Sequence, residues 1–241
     1  MNIADILREL TLGEKASLCS GEGSWDTKDL SRLNIPSIHM TDGPCGVRNQ
    51  KRGQSKADPA TCFPAPCLLA CSFDPELLAM VGSAIGEECR AIGVHLLLAP
   101  GVNLKRSPLG GRNFEYFSED PLLAGMCAAG YIRGVQTQGV GAVLKHFALN
   151  NQENWRLVSN SIVDEATMRE LYLRPFEIAV KSAKPAAVMT SYNRVNGIYA
   201  SEHSALLTGV LRDEWGYEGL VVSDWGAVND RVAGLRAGMD F

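Results

Sequence analysis

Short apolar runs that finish on polar residues recur along this chain, and longer stretches with helical spacing separate them. The runs are Ser37 to Thr41, His95 to Leu98, Ala142 to His146, Ala187 to Tyr192 and Gly219 to Asp224. Each is short and bounded by Gly, Pro or polar residues, which predicts buried strands. Between them, Asp74 followed by Pro75 is a good helix start, and that helix is expected to reach about Arg90. Pro121 opens a second helix, to about Thr137. Asp164 to Lys181 carries Met168, Leu171, Tyr172 and Phe176 near helical spacing and predicts a third. Helices are also expected over Ser201 to Trp215 and near Val228 to Arg236. Thr11 and Glu14 match a capping box. Ser161 to Val163 and Met239 to Phe241 are weaker strand candidates, and Gly21 to Ser24 reads as a loop. Asn49 to Pro66 and Ser107 to Asp120 read as long loops, a feature that often accompanies function in compact domains.

Strand and helix alternate, which implies parallel strands joined by helical crossovers. The pattern alone leaves a closed barrel and an open doubly wound sheet both standing. In either case the strand ends share one face, where α/β folds keep their sites. Asp42, Asn103, Lys145, His146, Tyr192, Asn193 and Asp224 follow or finish the apolar runs. For one strand this says little, because polar residues begin where strands end; as a set they converge on one opening.

Composition narrows the partners. The 241 residues suit a single barrel, which needs about 250 residues. The net charge of -4 and the absence of a basic block argue against nucleic acid. No apolar run is long enough to span a bilayer, and the N-terminus has no signal-peptide pattern, so a cytoplasmic location is expected. The seven Cys form no C-x-x-C pair and are expected to be reduced, mostly buried thiols. The four His are scattered, and no metal or other cofactor is expected.

Asp224 is the sharpest candidate, because it ends the clearest strand and its carboxylate is held by rigid backbone. A nucleophile must stay ionised, and Lys145 or Arg112 could serve as its cation. Capping of the following helix explains an Asp there equally well. Lys145 and His146 pose a geometric problem, since adjacent strand residues point to opposite faces. For both to reach one ligand, the backbone must carry a bulge or a non-proline cis peptide. The Gly110 to Asp120 segment sets Arg112 among acids and aromatics, suited to hydroxyls and sugar faces or to an ordinary ion-pair network.

The stretches TDGPCGVR (41–48), GGRNFEYFSEDP (110–121), LKHFALNNQE (144–153), VDEATMRELYLRPFE (163–177), VMTSYNRVNG (188–197), GYEGLVVSDWGAV (216–228) and AGMD (237–240) resemble family 3 glycoside hydrolases, in the family's order. The resemblance covers nearly the whole chain and is strongest to the family's β-glucosidases. It implies one TIM-type (β/α)8 barrel domain over residues 1–241, irregular in its first strands. It further implies a retaining mechanism with Asp224 as nucleophile. Asp42, Arg112, Lys145 and His146 would bind hydroxyls of the terminal sugar. Met189 and Tyr192 would line the pocket, and Trp225 would border the aglycone. The implied substrate is a small β-glucoside, cleaved from the non-reducing end.

The family usually follows this barrel with an α/β sandwich domain that supplies the acid/base Glu, and the sequence ends at Phe241. A retaining enzyme needs that acid roughly 5 Å from its nucleophile, and no Glu here matches the family's motif. Glu115 and Glu119 are nearby loop carboxylates without that mark. The chain is therefore expected to be a fragment, an isolated barrel or one part of a split enzyme, weak or inactive alone and prone to self-association. A sugar-binding barrel without turnover and a Schiff-base enzyme using Lys145 are the competing readings.

Overall fold

The computed structural model describes residues 2–50 and 56–241, so part of the expected 49–66 loop lies outside the described residues. All five expected strands form: β1 (Met40–Asp42), β2 (Leu96–Leu98), β3 (Gly141–Phe147), β4 (Ala187–Thr190) and β5 (Leu220–Ser223). They are parallel, and each pairs with its neighbours in sequence order, β1-β2-β3-β4-β5. A doubly wound sheet reverses its strand order at a switch point. This one never does, so its winding is that of a barrel.

The arc does not close into a hydrogen-bonded ring among the described residues. Its flanks are irregular instead. On one side the Trp25 carbonyl accepts from the Met40 N–H at 2.7 Å, and Asp26 bridges His39. On the other, Asp240 and Phe241 donate to the Val221 carbonyl at 2.9 and 3.1 Å. Residues 239–241 thus lie beside β5 without forming a strand. The flanks meet where Trp225 Nε1 donates to the Ser24 carbonyl at 2.7 Å. Residues 21–24, expected to be a loop, contribute to a small hairpin of 21–22 with 26–27.

The two faces of the arc follow the period-2 rule. Leu97, Ala142, Leu144, Val188 and Val221 point outward into the large core beneath the helices. Met40, Leu98, Val143, Ala187, Met189 and Val222 point inward and form a small second cluster with Trp25 and Phe241 at its edge. Outside lie α1 (Pro75–Ala91), α2 (Pro121–Thr137), α3 (Arg174–Ala183) and α4 (Arg231–Ala237). Helices α1 and α2 approach closely because Gly replaces side chains at the contact. A Cβ on Gly134 would lie 2.1 Å from the Ala79 carbonyl oxygen, and one on Gly130 2.2 Å from that of Pro75.

Several expectations need correcting. The single helix over Asp164 to Lys181 is broken into a helical turn at Glu165–Thr167, π-type turns at Met168–Tyr172 and α3. Pro175 has no N–H to continue an α-helical ladder, and the Leu173 N–H reaches back to the Met168 carbonyl. Ser201 to Trp215 is π-type over Ala205–Glu214. Pro66–Ala70 is a short helix at the end of the expected loop. Ser161 pairs with Val195 in a separate small sheet. The cysteines are free but not mostly buried: only Cys89 and Cys127 are, while Cys62 and Cys71 are exposed. No helix among the described residues is long and apolar enough to cross a membrane.

Candidate active site

The strand phase builds the site. Asp42 is in step with Met40, Lys145 with Val143, and Asp224 with Val222, so all three turn inward at the C-terminal ends of β1, β3 and β5. Lys145 Nζ donates to Asp42 Oδ1 at 3.1 Å and lies 3.4 Å from Glu115 Oε2. Glu115 also pairs with the Arg112 guanidinium. Burial pushes the Lys145 ammonium down, but Asp42 and Glu115 push it up further, so it stays charged. Burial likewise raises the Asp42 carboxyl, and Lys145 more than offsets this, leaving it below its ordinary range. An amine held as ammonium between carboxylates is poorly placed to form a Schiff base, which needs the free base.

The Lys145–His146 peptide is cis, as is Phe147–Ala148, and the β3–β4 register shifts between Leu144 and Phe147. Both side chains face the site: Lys145 Nζ reaches Asp42, and His146 Nε2 lies 3.6 Å from Asp224 Oδ2. Asn103 holds this turn from the side: its Nδ2 donates to the His146 carbonyl, and its Oδ1 accepts from the His146 N–H, each at 2.9 Å.

Asp224 does not cap a helix; Asp230 caps α4. Its Oδ1 accepts from the Trp225 N–H at 2.8 Å and lies 2.9 Å from the Tyr192 hydroxyl. Its Oδ2 lies 3.6 Å from His146 Nε2 and 3.7 Å from Arg112 Nη1. Those distances are too long for hydrogen bonds. All three atoms are buried and have no hydrogen-bond partner among the described residues. Such groups are rare in native interiors, and these three converge on one point at the mouth. Arg112, and not Lys145, is therefore the cation beside Asp224. Burial and the adjacent Asp224 raise the Tyr192 phenol, which keeps its proton and remains a donor.

Met189 lies in the inner cluster beneath the mouth. Trp225 is partly exposed and packs on Trp25, with ring centroids 5.6 Å apart. Sequence reasoning passed over Glu115, Tyr116, Asn150, Glu153 and Arg156 as site-builders. Tyr116 stands 3.1 Å from His146 Nδ1. Arg156 stacks on Tyr192 at 4.1 Å and pairs with Glu153 at 3.4 Å. One available signal was the clustering of polar residues just after β3, in Asn150 to Arg156.

A parallel arc with paired charges and an under-satisfied carboxylate at its C-terminal mouth puts polar groups on the face where barrel folds keep their sites. The sequence pattern of the glycosyl hydrolase family 3 N terminal domain matches residues 16–235, and the chain belongs to that family. It is 59% identical over 246 residues to thermostable β-glucosidase B of Acetivibrio thermocellus, covering 100% of this chain and 33% of that protein. It is 50% identical over 241 residues to an exo-α-(1→6)-L-arabinopyranosidase of Bifidobacterium longum, covering 98% of this chain and 32% of that one. Among solved structures, β-glucosidase 3B of Thermotoga neapolitana in complex with α-D-glucose superposes with a TM-score of 0.91 at 45% identity, over 98% of this chain and 35% of that one. The Kluyveromyces marxianus β-glucosidase in complex with glucose gives 0.96 at 43%, over 100% of this chain and 29% of its own. The chain thus spans about a third of the length of these relatives.

Proposed function

We propose that this chain is the barrel part of a retaining, exo-acting β-glucosidase that hydrolyses terminal β-D-glucosyl residues, with Asp224 as nucleophile. The observation that carries the reading is the buried, unpartnered Asp224 Oδ2 beside two unpartnered donors, Arg112 Nη1 and His146 Nε2. A sugar hydroxyl accepts from those donors, and the free carboxylate oxygen faces the anomeric carbon. Attack forms a glycosyl-enzyme ester and breaks the bond to the aglycone oxygen. Asp42 and Lys145 bind further hydroxyls of the same ring, Met189 and Tyr192 wall the pocket, and Trp225 borders the aglycone. Glu115 is committed to Arg112 and Lys145 and is not the proton donor. We assign that role to a Glu of an α/β sandwich domain beyond these residues. Free thiols at all seven Cys support a reducing, cytoplasmic setting.

Leaving-group chemistry tests the proposal. Aryl glucosides with good leaving groups need little acid help, so the chain should release one equivalent of nitrophenol in a burst. Alkyl glucosides should be nearly inert. The name of the Bifidobacterium relative makes nitrophenyl α-L-arabinopyranoside the comparison substrate, and a larger burst there would move the specificity to that sugar. Saturable glucose binding without any burst would leave a binding barrel in place of an enzyme.

A further inference from the structure

The hydrogen-bonding role of the His146 ring depends on where its proton sits. Its Nε2 faces Asp224 Oδ2 at 3.6 Å, and its Nδ1 lies 3.1 Å from the Tyr116 hydroxyl. Behind Tyr116, Asn150 Nδ2 lies 3.2 Å from the same hydroxyl oxygen and 3.1 Å from Glu153 Oε1. Tyr116, His146 and Asn150 are each no more than 2% exposed. The direction of every bond follows from Glu153. A carboxylate only accepts, so it fixes the Asn150 amide with its NH2 group inward. That NH2 then donates to the Tyr116 oxygen. The Tyr116 proton has His146 Nδ1 as its acceptor. Nδ1 is thereby occupied as an acceptor, and the imidazole proton is left on Nε2, aimed into the pocket.

We infer that Glu153, Asn150 and Tyr116 form a relay that locks His146 as a neutral Nε2–H donor to the ligand. Tyr116 is a positioning residue in this scheme. Its use to a sugar rests on the proposed glycosidase reading, but the tautomer does not. Arg112 and Lys145 nearby oppose a second proton on the ring, as burial does.

The polarity of the relay can be reversed without changing its charge. In the double variant Asn150→Asp/Glu153→Gln, the amide at 153 donates to the new carboxylate, which accepts from Tyr116. The Tyr116 oxygen then accepts from His146 Nδ1–H, and Nε2 becomes an acceptor facing a carboxylate. Nitrogen-15 NMR of the four histidines, assigned with His146→Gln, reads the tautomer directly in the full chain without sugar. The expected result is a neutral Nε2–H form at pH 7 in the parent and an Nδ1–H form in the double variant. Glucose affinity, measured by calorimetry, should fall about tenfold, the loss of one buried hydrogen bond. Tyr116→Phe should give mixed tautomers, and Asn150 or Glu153 restored alone should not return the parent spectrum. An Nδ1–H or doubly protonated ring in the parent would overturn the relay. So would a double variant that remains folded and keeps the parent tautomer. If the tautomers behave as stated and glucose does not bind the parent, the relay stands and the glycosidase reading fails.

Discussion

The two halves of the site are built on opposite plans. At the ends of β1 and β3, Asp42 and Arg112, both half-buried, neutralise the buried Lys145 and Glu115 in one lattice. At the end of β5, Asp224 has one oxygen held by Trp225 N–H and Tyr192, and its other oxygen has no hydrogen-bond partner among the described residues. The first half gains rigidity from mutual pairing and keeps little reactivity. The second withholds pairing from one carboxylate oxygen, which is what a nucleophile requires. Arg112 stands between the halves, paired with Glu115 on one side and 3.7 Å from Asp224 Oδ2 on the other. A mutation should reveal its half by whether stability or turnover suffers.

The largest expected effect lies in the reactive half. Asp224→Asn should slow the nitrophenol burst on the order of 10⁶-fold, the scale seen when a hydrolase nucleophile is removed, with the urea midpoint nearly unchanged. A comparable burst in that variant would place the nucleophile elsewhere. In the paired half the order reverses. Lys145→Met leaves Asp42 and Glu115 without their shared cation and should cost about 3–5 kcal/mol in urea unfolding. A loss under about 1 kcal/mol, the scale of an exposed pair, would show that the lattice does not stabilise the fold.

Acidification separates the halves by pH window. His146 is held well below its usual 6.5 by burial and by Arg112 and Lys145, so folding disfavours its protonated form. The stability it permits is complete above pH 6.5 and declines as pH falls below that, by about 1.4 kcal/mol per pH unit for one proton. Asp42, also lowered, favours its ionised form in the fold, and its contribution is lost only as pH falls through and below the usual 3.8. His146→Gln should flatten the stability slope between about pH 6.5 and 5. His203, also lowered by burial, retains its share. An unchanged slope would mean that His146 titrates alike folded and unfolded. The smallest effect belongs to the rim. Trp225→Ala loses the Ser24 bond and the Trp25 contact, and should cost about 1 kcal/mol. Free glucose affinity should hold while discrimination among aglycones weakens; a large fall in glucose affinity would put Trp225 inside the sugar site.

Much of this was legible in the chain. The five strands, α1 and α2 follow from short apolar runs and helix starts, and the shared face of Asp42, Lys145 and Asp224 follows from parallel strands ending together. The irregular backbone at Lys145–His146 followed from requiring two neighbours to share one pocket. Other features had no local signature. The break before Pro175 lost to an otherwise continuous helical pattern, and Glu115 looked like any loop acid although it is buried between two cations.

The sequence by itself determined the alternation of strands and helices, the family, and the residues at the strand ends. Periodicity and motif order are local properties that survive without coordinates. Only the tertiary structure decided that the strands run in unbroken order, that Lys145 serves Asp42 and Glu115 while Arg112 stands beside Asp224, and that Tyr116 and Asn150 back His146. Those pairings join residues tens of positions apart, and partner choice among buried charges is fixed by distance and desolvation, which a linear pattern does not encode.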